Sequence, residues 1–116
     1  MNLELIGIKD LDTDKERIEL IAIGNDNASN YVLVFPSDHE NIAVANKSRH
    51  AFWFPNQSFK KGDTIRVFTK SGTTSSFMMA DKSRRYTFYW GVGSVYRSEN
   101  RTHPKLLRII ESISVS

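Results

Sequence analysis

Apolar residues along this chain come in short blocks separated by clusters of Asn, Asp, Gly, Ser and Pro, and within several blocks they alternate with polar ones. That period of two places successive side chains on opposite faces of an extended strand. Residues 3–8 predict a first strand, closed by Lys9 and Asp10, and a polar turn follows over residues 10–15. Residues 17–23 (RIELIAI) are apolar enough for helix or strand. Their short length, three isoleucines and the closing Gly24-Asn25-Asp26-Asn27 favour strand. Residues 24–30 read as a loop. Residues 31–35 (YVLVF) form a wholly apolar strand stopped by Pro36, followed by a loop at 37–41 and a small strand at 42–45.

The stretch 51–72 is the one around which the other strands are arranged. Residues 48–54 and 63–69 are predicted as a central pair, with turns at residues 56–59 and at Lys60-Lys61-Gly62-Asp63 between them. In the second member Ile65, Val67 and Thr69 alternate with Thr64, Arg66 and Phe68, so the two faces meet different partners. Residues 73–81 fit an edge strand or a loop, of which the strand is preferred. Residues 84–90 (RRYTFYW) give an aromatic strand ending at Gly91-Val92-Gly93, residues 98–104 a turn-rich loop, and residues 106–110 and 113–115 the last strands. About eight to nine short strands with turn signals every ~8–12 residues, and no amphipathic helix, predict an all-β sandwich or barrel.

Composition narrows the picture. A chain of 116 residues, 40% hydrophobic and 25% charged, has the make-up of an ordinary globular protein and predicts one domain over residues 1–116. The lack of cysteine removes disulfides, thiolate metal ligands and a cysteine nucleophile. No stretch reaches the roughly 20 apolar residues of a membrane span. As written, the chain opens without a basic region ahead of an apolar run, so it is expected to be cytoplasmic, or extracellular if it is a piece of a processed protein.

Three stretches carry a family resemblance: Ile18 to Asn25, with a glutamate ahead of an apolar pair and an Asn/Gly turn; Phe52-Trp53-Phe54-Pro55 followed by Phe59 to Val67; and Tyr89-Trp90-Gly91-Val92-Gly93. Together they resemble the lamin-tail domain, an immunoglobulin-like β-sandwich found in nuclear lamins and in many bacterial proteins. The resemblance implies an immunoglobulin-like β-sandwich acting as an interaction module, with no shared catalytic residues, no cofactor, and protein or DNA partners.

Charge adds an alternative. Net charge is +3, yet five Lys/Arg face nine Asp/Glu through Phe59, and eleven face four from Lys60 onward. A solvated surface of neutralising charges is the simpler reading, and an anionic partner for the second half is the sharper one. Lys82, Arg84, Arg85, Tyr89, Arg97, Arg101, Lys105 and Arg108 are the candidates for nucleic acid, with cations on phosphates and an aromatic on bases. Tyr86, Phe88 and Trp90 share one face and are expected in the core, which leaves Thr87 and Tyr89 outward. For a protein partner the candidates are Trp53, facing away from Phe52 and Phe54, and Phe68, Phe77, Met78 and Met79 as a sticky strand edge that would also permit self-association.

Catalytic and metal chemistry find little. Asp10, Asp12 and Asp14 offer alternate oxygen ligands suited to calcium, but the helix-loop-helix loop would need glycine at Lys15 and glutamate at Ile21, so an acidic hairpin tip is the expected reading. His39, His50 and His103 lack metal-ligand spacing, and no nucleophile elbow or phosphate loop is present. The sequence therefore predicts a non-catalytic module that binds a protein through a strand edge or loop end. Nucleic-acid binding through the basic half is the alternative, and a calcium-dependent binder or small enzyme comes third.

Overall fold

The computed structural model describes residues 1–11, 13–34, 51–91 and 104–109. Within them the chain forms β1 (Leu3–Lys9), β2 (Arg17–Ala22), β3 (Asp26–Asn27), β4 (Tyr31–Val34), β5 (Ala51–Trp53), β6 (Ser58–Phe59), β7 (Thr64–Phe68), β8 (Ser75–Met78), β9 (Arg84–Tyr89) and β10 (Lys105–Arg108). A single 3₁₀ turn, Ala28–Asn30, precedes β4. The protein is all-β. A five-stranded sheet runs β1-β2-β7-β9-β8, a three-stranded sheet runs β10-β4-β5, and β3 pairs with β6.

Alternation explains which face each strand buries. In β2, Ile18, Leu20 and Ala22 are buried while Arg17, Glu19 and Ile21 are only half-buried, and in β7 the same split separates Ile65 and Val67 from Thr64, Arg66 and Phe68. Register keeps like with like, because Ile18 lies opposite Val67 and Leu20 opposite Ile65, while Ile65 and Val67 lie beside Tyr86 and Phe88 of β9. These residues meet Tyr31 and Leu33 of the three-stranded sheet in one hydrophobic cluster. Phe54 stands edge-on to Phe88 at 5.8 Å, and Phe52 packs on Trp90 at 5.7 Å. Each buried aliphatic or aromatic side chain contributes about 1.5–3 kcal/mol. The stripe Tyr86, Phe88 and Trp90 is thus core.

Two expectations need correction. Residues 48–54 and 63–69 are not a pair: β5 lies beside β4 in one sheet, and β7 lies between β2 and β9 in the other. The aromatic contacts of Phe52 and Phe54 are instead with Phe88 and Trp90, on and just after β9. Residues 24–30 and 56–59 are not simple turns either, since β3 and β6 pair there over two residues each. Asn27 ties the two together. Its Oδ1 accepts from the Ser29 and Gln57 amides at 2.9 and 3.1 Å, and its Nδ2 donates to Asn56 Oδ1 at 2.7 Å. The expected strands at 42–45 and 113–115 fall outside the described residues.

The entry to β7 is set by a tight turn. The Asp63 amide donates to the Lys60 carbonyl at 2.9 Å, and Gly62 has φ +95°, the sign a type II turn needs at its third position. The Asp63 carboxylate is buried and accepts from two amides, Lys60 at 2.8 Å and Arg84 at 2.9 Å. One side chain therefore fixes both the turn and the start of β9.

Candidate functional site

The sheet order leaves β8 at one end of the five strands. Its register with β9 is unbroken, from Ser75 opposite Thr87 to Met78 opposite Arg84, and its other edge has no ladder partner among the described residues. All four of its residues are exposed, Phe77 at 66% and Met78 at 54%. A strand bare on both faces and along one edge offers a row of unpaired N–H and C=O groups with apolar side chains beside it. From Ser71 to Ala80 the chain carries neither a charge nor a proline to block added pairing. The opposite end is different: β1 is interrupted by a register shift between Leu5 and Gly7. Met79 is half-buried and begins the turn to β9, its amide donating to the Ser83 carbonyl at 2.7 Å.

The outward face of the same sheet is basic and aromatic. Arg17, Arg66 and Phe68 stand there beside Arg85, Thr87 and Tyr89 of the neighbouring strand. Phe68 is corrected from an edge residue to a central one. Its ring stacks on Tyr89 at 5.4 Å with a 17° tilt, while Arg66, Lys70 and Arg17 lie 5.3, 5.6 and 5.9 Å from its centroid. On its far side Tyr89 lies against Gly72, where an added Cβ would run into the ring. Backbone, tyrosine, phenylalanine and cations so form one closed stack. Tyr89 is half-buried, and Thr87, expected to point to solvent, is 5% exposed. The reason is that Arg66 and the stacked rings cover this face.

Electrostatics there are uneven. Arg17 is held by Asp10 at 2.6 Å and Glu19 at 2.8 Å, and the Asp10 bond is the main reason its guanidinium is pushed to a higher pKa. Arg66 is pushed lower, first by burial and then by the nearby charges of Arg85 and Arg17. Its Nε is buried with no hydrogen-bond partner, and only Nη2 reaches a hydroxyl, Thr87 Oγ1 at 3.5 Å.

The remaining sequence candidates are dispersed. Trp53 is 67% exposed and opposite in facing to Phe52 and Phe54, as alternation predicts; Leu107 stands exposed across Val32 from it. Lys82 is exposed in the β8–β9 turn with φ 71°, and Arg84 begins β9. Lys105 and Arg108 lie on β10 in the other sheet, where Arg108 Nε is 3.8 Å from Asp26 Oδ2. Of the nucleic-acid candidates, Arg85 and Tyr89 alone are placed on the basic face; Arg97 and Arg101 fall outside the described residues. Asp10 is engaged by Arg17, Asp14 is exposed, and Asp12, like His39, His50 and His103, is outside the described set. Among the described residues no three His, Cys, Asp or Glu side chains converge on a metal position, and no helix is long and apolar enough to cross a membrane.

Sequence reasoning missed Arg66, Arg17 and Lys70. Arg66 shares a strand face with Phe68, which was visible in the alternation; its neighbour Arg85 was not, because parallel pairing of β7 with β9 is a non-local fact. No family model matches the chain, and no curated protein matches it either.

Proposed function

We propose that this protein is a non-catalytic interaction module of the immunoglobulin-like, lamin-tail type, which captures an extended segment of a protein partner along β8. The observation that carries this reading is the exposure of all four residues of a terminal strand, with Phe77 and Met78 flanking an edge that has no ladder partner among the described residues. A partner strand would gain main-chain hydrogen bonds from β8 and side-chain contacts from Phe77 on one face and Met78 on the other. The same edge permits self-association through a second β8.

The test compares the parent with Ser76→Pro and Phe77→Lys in partner capture and sedimentation. Proline removes an amide and lysine introduces a charge, while neither touches the core. Complexes formed by the parent should be lost in both variants, with β8 amides in the parent exchanging more slowly once bound. Undiminished binding by folded variants removes the edge from consideration.

A further inference from the structure

The basic face holds a feature that strand capture does not use. Asp10 and Glu19 are both committed to Arg17, and no ion pair to Arg66 or Arg85 is formed among the described residues. The two free guanidiniums cross between adjacent strands: Arg66 of β7 reaches Thr87 of β9, and Arg85 of β9 reaches back to Thr64 of β7, with Nε to Oγ1 at 3.4 Å. Both contacts sit at the long limit of a hydrogen bond and leave most N–H donors unused. A buried N–H without an acceptor is destabilising, so the Arg66 Nε is a donor awaiting a partner.

The geometry points to a phosphate-binding site on the outward face of the five-stranded sheet, made by Arg66 and Arg85 with Thr64 and Thr87. A planar carboxylate is satisfied by one guanidinium fork, whereas two forks from neighbouring strands suit the several oxygens of a tetrahedral anion. Each threonine oxygen accepts from an arginine; the half-buried Thr64 keeps its own O–H to donate to the ligand, while the buried Thr87 holds Arg66 in place. Phe68 holds the Arg66 guanidinium in place by its ring face, and Arg17, already paired to both Asp10 and Glu19, does not compete for the anion. Because Tyr89 is enclosed between Phe68 and Gly72, base stacking contributes nothing here, and recognition is of the phosphate group alone.

The test is a titration of isotope-labelled protein with inorganic phosphate, at ionic strength held constant with chloride, following the Arg66 Nε–H resonance. A saturable shift is expected, absent with chloride alone and weakened about tenfold in Arg85→Gln. Arg66→Lys keeps the charge but loses the fork, and it should weaken binding similarly when followed at the Arg85 and Thr87 amides. Ser76→Pro, which breaks the β8 edge without adding charge and lies opposite Tyr86 rather than Arg85, should bind phosphate like the parent, which separates this site from the β8 edge. An unsaturable response, the same response to chloride, or full affinity in both arginine variants overturns the site. A single-stranded oligonucleotide then identifies the source of the phosphate: tighter, steeply salt-dependent binding marks a nucleic-acid backbone, and affinity equal to inorganic phosphate marks an isolated phosphate group, either result upholding the site.

Discussion

Asp26 shows how much one carboxylate can organise. Burial on its own would raise its pKa, but bonds from the Asn27 amide and the Asn30, Tyr31 and Asn2 side chains outweigh it and bring the value from 3.8 to about 2. A folded-state pKa below the unfolded one means that the stabilisation is complete above the unfolded value and is lost as pH falls through the folded one. Asp26→Asn should therefore cost on the order of 2 kcal/mol at neutral pH, and urea unfolding should show the gap between variant and parent closing from about pH 4 to pH 2. Asp63 works without partners on other side chains. Its two amide bonds leave orphaned donors when it is removed, so Asp63→Ala should lower stability by about 1–3 kcal/mol, again read by urea unfolding. Asn at the same position keeps one acceptor and should recover part of the loss.

At the scale of the element, the crossing between β7 and β8 is the most constrained stretch. The chain leaving β7 passes over the end of β9, with the Trp90 amide donating to the Phe68 carbonyl at 2.8 Å and the Gly91 amide to the Lys70 carbonyl at 3.2 Å. Gly72 lies directly on the Tyr89 ring in that passage. Gly72→Ala should displace the ring from Phe68 and lower stability by about 1–3 kcal/mol, seen as a lower melting temperature and altered near-ultraviolet circular dichroism. Period-two alternation made Tyr86 and Phe88 of β9 legible as core and gave Trp53 its outward facing, while Thr87, which alternation places outward, is buried beneath Arg66. Alternation could not assign neighbours: a strand's pattern states which side is apolar and says nothing of which strand lies alongside. Residues 48–54 and 63–69 were consequently paired when they belong to different sheets. The strands at Asp26–Asn27 and Ser58–Phe59 are too short to carry a period at all. An edge strand at residues 73–81 is the preferred sequence reading of Phe77, Met78 and Met79 and is where β8 lies, while the Arg66–Arg85 juxtaposition depends on topology.

Among the described residues, the two halves of the chain cancel little of their charge by ion pairing. The two close pairs, Arg17 with Asp10 and with Glu19, lie within the acidic half, and the one described pair between halves, Arg108 with Asp26, is 3.8 Å apart. Part of the basic excess, Arg66 and Arg85, remains on a sheet face, next to an uncharged edge that the core does not need. Phe77→Lys should therefore leave unfolding free energy within about 0.5 kcal/mol of the parent while abolishing edge-dependent binding, a separation that denaturation and binding assays read independently.

Neither neighbour of β7 comes from adjacent sequence: β2 pairs with it antiparallel from far upstream, and β9 pairs with it parallel across the intervening β8. The middle of the sheet is thus assembled by closing two long loops, and their entropy is lost before the Ile65 and Val67 contacts return any free energy. The β8–β9 ribbon is local and can zip first, but it stays marginal until β7 arrives. Refolding is consequently expected in milliseconds to seconds, at the slow end for a domain of this size, and until the core closes the β8 segment is open to pairing with other chains.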